Sequence, residues 1–130
     1  MELLYQDIMR HLELAEVVHK FSLYMLNSVK NDPATSIDQT ADNRERVVNL
    51  LRDVQSQIEG QLENLKNDEA IYVVRAWHND FVNLLQKTQN IDDALLELLE
   101  DQKVETRKEI GAVFTNHQKI SAYNHSGSQR

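Results

Sequence analysis

The chain has 130 residues, 41% of them hydrophobic and 27% charged, a composition typical of one folded domain. Three glycines and one proline supply too few turns for a β-sandwich or barrel, and no cysteine is present for a disulfide, a zinc–thiolate site or thiol catalysis. With 14 Lys and Arg against 21 Asp and Glu, the net charge is −7, which disfavours nucleic-acid binding. These figures predict an all-α protein, without a cofactor, whose partners are other proteins.

The first predicted helix covers about residues 2–31. Its apolar and small side chains recur at alternating spacings of three and four residues, which indicates one buried helical face. Asp32 and Pro33 end the helix, because the residue before proline is disfavoured in the α conformation. The predicted buried positions are Leu4, Ile8, His11, Ala15, Val18, Ser22, Met25 and Val29. Further apolar residues widen this face beyond what one partner helix covers.

Two further helices are predicted over about residues 41–66 and 69–88. The first of them begins at Thr40 or Asp42 as N-cap, and most of its charged residues, including Arg44, lie off the apolar face. Its predicted buried positions are Val47, Leu51, Val54, Ile58, Leu62 and Leu65. For the next helix they are Ile71, Val74, His78, Phe81 and Leu85, with Trp77 and Leu84 on the flank.

The last predicted helix covers about residues 91–123, and residues 124–130 are expected to form a flexible polar tail. A weak breaker at residues 88–90 favours a separate helix, although the apolar phase also continues through it, so that one long helix is the alternative. Gln102 and Thr106 place polar layers in the middle of this helix. The whole pattern predicts a single domain over residues 1–123, an elongated antiparallel bundle with coiled-coil-like packing of three to four long helices.

Motifs for catalysis or metal binding are scarce in this sequence. Glu16 and His19 form one Glu-x-x-His pair, but a di-iron bundle needs two such pairs. No histidine has the flanking Lys and Gly of a phosphotransfer domain, and His78 is interpreted as a hydrogen-bonded core residue. We therefore expect no enzymatic activity, with a metal-binding or phosphorelay bundle as a distant alternative.

Several apolar residues of the C-terminal segment lie beyond the polar layers, where a bundle would run out. Exposed contiguous apolar surface usually marks an interaction site, and an amphipathic helix laid along it is a common occupant. Closure of an ordinary core, or a homodimer, is the alternative use of the same surface. The predicted partner-binding residues are Leu95, Leu99, Ile110, Val113, Phe114, Ile120 and Tyr123.

Three stretches of this sequence carry a family resemblance. The acidic, leucine-rich run at residues 91–103 is followed by Glu109-Ile110 and by a terminal Asn-His-Gln-Lys-Ile-Ser-Ala-Tyr at residues 116–123. Residues 43–51 add an arginine ahead of apolar pairs in the second helix. Together these stretches resemble the FlgN/FliT-type flagellar type III export chaperones.

The resemblance implies a non-enzymatic chaperone in the cytoplasm. Proteins of this type hold the amphipathic terminal helix of a late export substrate, the filament cap or a hook–filament junction protein, in a hydrophobic groove. They deliver it to the export gate or the export ATPase complex. Carried onto this chain, residues 110–123 would form a regulatory lid over the groove, and Tyr123 would contact the export gate. No signal peptide or membrane insertion is expected, since the N-terminal stretch is acidic and no long apolar run occurs.

Overall fold

Three α-helices make up the fold in the computed structural model, which describes residues 2–65 and 68–128, with side chains up to residue 113. They are α1 (Glu2–Asn31), α2 (Asp38–Leu62) and α3 (Asp68–Ser128). The all-α class predicted from the sequence is confirmed.

Helix α1 has the bounds that the sequence predicted. Of its predicted buried positions, all but Val18, which is half-buried, lie in the core. The helix stops at Asn31 because Asp32 starts a turn: its carboxylate accepts the backbone N–H of Ala34 at 3.1 Å, and its carbonyl accepts that of Thr35 at 3.0 Å. The turn thus provides acceptors for the N–H groups of Ala34 and Thr35 at the point where Pro33 ends the helix.

Helix α2 begins three residues earlier than predicted and ends earlier, at Leu62. The residue before it, Ile37, supplies no side-chain cap; instead the Ile37 carbonyl accepts the N–H of Ala41 at 2.9 Å, and the Ser36 hydroxyl accepts that of Asp38 at 3.4 Å. The predicted caps at Thr40 and Asp42 are therefore wrong, because both residues lie inside the helix. Its fully buried positions agree with the predicted face and are Leu51, Val54 and Ile58.

Helix α3 is one continuous helix where two were predicted. The expected break at residues 88–90 is wrong, because the polar side chains there are satisfied within the helix. Thr88 donates its hydroxyl to the Leu84 carbonyl at 2.9 Å, and Gln86 donates to the Asn90 side chain four residues on at 3.0 Å. The backbone is helical to Ser128 and includes residues 124–128, which the sequence assigned to a flexible tail.

The buried face of α3 is rotated from the one predicted for residues 69–88. Trp77 is buried, whereas His78 is exposed, so the interpretation of His78 as a core residue is wrong. Ile71 and Leu85 are also exposed. The large indole of Trp77 buries more apolar area than His78 can, and it sets which side of the helix faces inward. The buried residues of α3 are Ala70, Trp77, Thr88 and Leu95, of which Thr88 and Leu95 lie on the continuous phase that was the alternative to a break.

A core shared by the three helices lies within the first of two compact units, Met1–Leu95 and Leu96–Arg130. Its central cluster takes residues from all three helices: Leu4, Ile8, Val54, Ile58 and Trp77. Contacts between the helices give their directions. Asp7 of α1 accepts from Gln61 of α2, while Ser22 accepts from Arg44, so α1 and α2 run in opposite directions. His11 meets Trp77 and His19 meets Thr88, so α1 and the first part of α3 run in the same direction.

Candidate partner-binding surface

The part of α3 in the second unit carries all but one of the apolar residues that the sequence assigned to partner binding. Ile110 and Val113 are 63% and 69% exposed, and they lie three residues apart on one side of the helix. All residues from 103 to 113 are exposed. The aliphatic side chains of Ile110 and Val113 therefore expose apolar surface that a bound partner could bury.

The structure gives the other predicted partner-binding residues different positions. Leu95 is only 6% exposed and belongs to the core of the first unit, so its side chain offers little surface to a partner. Leu99 is half-buried. The side chains of Phe114, Ile120 and Tyr123 lie outside the described residues, and only their helical backbone is described. The candidate surface therefore rests on Ile110 and Val113.

Polar layers separate this surface from the preceding leucines, as the sequence indicated. Gln102 is half-buried and Thr106 is exposed, so the hydroxyl of Thr106 needs no protein partner. The charged residues among them are mixed in sign, with Lys103 and Arg107 on the side of Ile110 at helical spacing of four and three. A partner helix here would meet aliphatic side chains flanked by charges of both signs, with Arg107 three residues before Ile110 and Glu109 four residues before Val113.

The first unit has apolar surface of its own on α1, as its wide apolar arc predicted. Leu3, Met9 and Tyr24 are all more than half exposed. Two grooves of about 470 Å³ run along this helix. One is lined by Met9, Leu12 and Leu84 together with the acidic residues Glu13, Glu16 and Asp80, and the other by Val17, Phe21 and Tyr24 with Lys20 and Thr40.

An ion pair links α2 to α3 in the first unit. Nη1 of Arg44, which carries two hydrogens, donates to the Asp92 carboxylate at 2.7 Å and to the Ser22 hydroxyl of α1 at 2.9 Å. The side chains of Arg44 and Asp92 are 28% and 31% exposed. Sequence reasoning missed this network because it placed Arg44 off the apolar face; the small Ser22 on the buried face of α1 was the signal that a polar group enters there.

A histidine and the single tryptophan form the most buried polar contact. Trp77 donates its indole N–H to Nδ1 of His11 at 3.1 Å, and His11 has no exposed surface. The Phe81 ring packs edge-on to the imidazole, with centroids 4.6 Å apart. Burial lowers the pKa of His11, and the nearby Gln55 amide opposes this in part. The sequence placed His11 on the buried face but did not reveal its partner.

His19 of the Glu-x-x-His pair, Glu16 and His19, contacts a threonine of α3. Nδ1 of His19 lies 3.3 Å from the Thr88 hydroxyl, which joins α1 to α3. Among residues 2–65 and 68–113, no three His, Asp or Glu side chains are grouped so that they could hold a metal ion.

Comparison with protein-family models, curated proteins and solved structures finds no match for this chain. In the part of the chain that the structure describes, none of the helices has an apolar stretch sufficient to cross a membrane.

Proposed function

We propose that this protein is a cytoplasmic export chaperone of the flagellar type III system, which holds the amphipathic terminal helix of a late substrate. The substrate would be the filament cap or a hook–filament junction protein. The observation that carries the proposal is the exposed aliphatic side of α3 at Ile110 and Val113, in the segment where the family resemblance also lies. Exposed aliphatic residues at helical spacing are what an amphipathic helix recognises.

The first unit supports this role by providing a stable base. In the proposal its three helices form an antiparallel, coiled-coil-like bundle whose core is complete without residues 96–113. Every buried hydrophobic residue among the described side chains lies between Leu4 and Leu95. Ile110 and Val113 are thus not part of that core, and their exposed side chains can serve a partner.

Covering the two aliphatic side chains gives the partner helix a favourable but moderate free energy. Burial of an Ile or Val side chain contributes about 1.5–3 kcal/mol before the cost of ordering the partner. Such a moderate affinity suits a chaperone that must release its cargo at the export gate. The regulatory role of residues 110–123 and the gate contact of Tyr123 belong to the same proposal.

The test is calorimetric titration of the full-length protein with synthetic terminal helices of the filament-cap and hook–filament junction proteins from the same genome. We expect binding, and a double substitution Ile110→Ala with Val113→Ala should weaken it about thirtyfold, since each truncation removes on the order of 1 kcal/mol at an interface. The matched control is Leu3→Ala, because Leu3 is 62% exposed and lies in the first unit. It should leave the affinity unchanged.

Absence of binding to every such helix would contradict the proposal, as would equal losses from the control and the double substitution. The alternative is an adaptor that uses the same aliphatic residues for self-association. Sedimentation over a range of concentrations separates the two, because a dimer that dissociates on Ile110→Ala with Val113→Ala and binds no cargo helix would favour the adaptor.

A further inference from the structure

The hydrogen bond from Trp77 to His11 requires the imidazole ring of His11 to be neutral. An indole N–H can only donate, so Nδ1 of His11 must accept and the neutral ring must carry its proton on Nε2. On a charged imidazole both nitrogens carry hydrogen. The Trp77 N–H would then face another N–H, and the hydrogen bond between α1 and α3 would be lost.

The surroundings of His11 hold little that could stabilise a charge. From α3 it is faced by Trp77 and Phe81, both edge-on to its ring. From α2 it is faced by the Gln55 amide, which is uncharged and offsets only part of the lowering of the pKa by burial. On its own helix the carboxylate one turn earlier, Asp7, is bound by Gln61 of α2. Among the described residues, Nε2 of His11 is the one buried side-chain nitrogen or oxygen without a hydrogen-bond partner. The site is built for the neutral ring.

We propose that His11 is a pH-dependent lock in the first unit, which holds α1 to α3 through Trp77 when neutral and releases them when protonated. The lock is independent of the proposed chaperone function, since its residues all lie between 11 and 81. It works through a hydrogen bond that a proton breaks and a buried ring whose charged form prefers water.

The sign of the pH dependence follows from the lowered pKa of His11. Because the unfolded chain binds this proton more readily than the folded one, stability is complete above the ordinary histidine pKa of about 6.5 and falls as the pH drops below it. The transition should be visible in the fluorescence of Trp77, the single tryptophan of the chain.

The experiment is urea unfolding of the full-length protein at pH 7.5 and pH 5.5, followed by Trp77 fluorescence. We expect the folding equilibrium constant to fall at least about fivefold at the lower pH, because the unfolded chain takes up a proton at His11 that the folded chain disfavours. His11→Asn keeps a side-chain acceptor for the Trp77 N–H but does not titrate. The folding equilibrium constant of this variant should therefore fall less at pH 5.5 than that of the wild-type protein. The matched control is His78→Asn, which changes an exposed histidine next to Trp77 in the sequence. This variant should lose stability between the two pH values as the wild-type protein does.

A second measurement does not depend on a variant that folds. Nitrogen-15 NMR of the histidine rings in the wild-type protein should show His11 neutral, protonated on Nε2, down to a lower pH than the other histidines. An unchanged stability between the two pH values, an undiminished fall in a folded His11→Asn variant, or a His11 ring that titrates normally in the folded protein would each overturn the proposal.

Discussion

Arg44 shows how a single charged residue can order three helices. Its guanidinium reaches the hydroxyl of Ser22 on α1 and the carboxylate of Asp92 on α3. We predict that Arg44→Ala lowers the free energy of unfolding by about 1–3 kcal/mol, because a charge-assisted hydrogen bond is lost and Asp92 keeps a partly buried charge without its partner. Urea unfolding measures this loss, and Arg46→Ala, an exposed arginine of the same helix, should change stability by less than about 0.5 kcal/mol.

A double-mutant cycle with Asp92→Asn isolates the ion pair. We expect a coupling free energy of about 1 kcal/mol, since the pair is shielded from water on most of its surface. A coupling near zero would mean that Arg44 acts through Ser22 or through packing of its alkyl chain.

Individual positions of the buried face could be predicted where one helix carries a regular pattern. The spacing of Leu4, Ile8 and His11 identified the core side of α1, because packing against two neighbours requires a regular face. Arg44 could not be assigned from the sequence, since its alkyl chain lets a charged head reach a polar partner from beside the apolar face. The partner of His11 is equally invisible there, because it lies 66 residues away.

The continuity of α3 is a property of the element rather than of any one residue. Asn90 lies in the middle of the helix, far from either end, and its side chain is exposed to solvent. It accepts a hydrogen bond from Gln86. We predict that Asn90→Pro destabilises the protein by about 3 kcal/mol or more, because proline removes a helical hydrogen bond and clashes with the preceding turn. Thermal unfolding followed by circular dichroism measures the effect, with Asn90→Ala as the control that keeps the helix. Equal stability of the two variants would indicate a loop at this position.

Helix ends and breaks were harder to predict than helix faces. The apolar phase through Leu84, Thr88 and Leu95 indicated one helix, whereas local residue preferences at positions 88–90 favoured two. Tertiary packing decided between them, because Thr88 is buried and satisfied by the Leu84 carbonyl and by His19. The rotation of the face around Trp77 has the same origin: periodicity alone leaves an uncertainty of one position when apolar residues flank the face on both sides.

At the scale of the molecule, the chain divides into a unit with a three-helix core and a helical unit whose described side chains are mostly exposed. The sequence predicted a single domain over residues 1–123 from the length of the chain, and periodicity carries no information on whether a helical face is covered. It also predicted Ile110 and Val113 to lie outside the core, since the polar layers at Gln102 and Thr106 interrupt the core-forming pattern before them, and both side chains are exposed. Leu95, which was also predicted to bind a partner, precedes that interruption and is buried in the core.

This division predicts that a chain shortened to residues 1–102 folds on its own. Every buried hydrophobic residue of the described chain is retained, as are Arg44, Asp92 and the contact between His11 and Trp77. The Tm should stay within about 4 °C of the full-length value, the smallest shift that 1 kcal/mol produces in a domain of this size. Calorimetric scanning measures it, and binding of the cargo helix measured on the same sample should be lost together with Ile110 and Val113. A large drop in Tm would show that residues beyond 102 contribute to the core, whereas cargo binding by a stable shortened chain would move the binding surface to the grooves along α1.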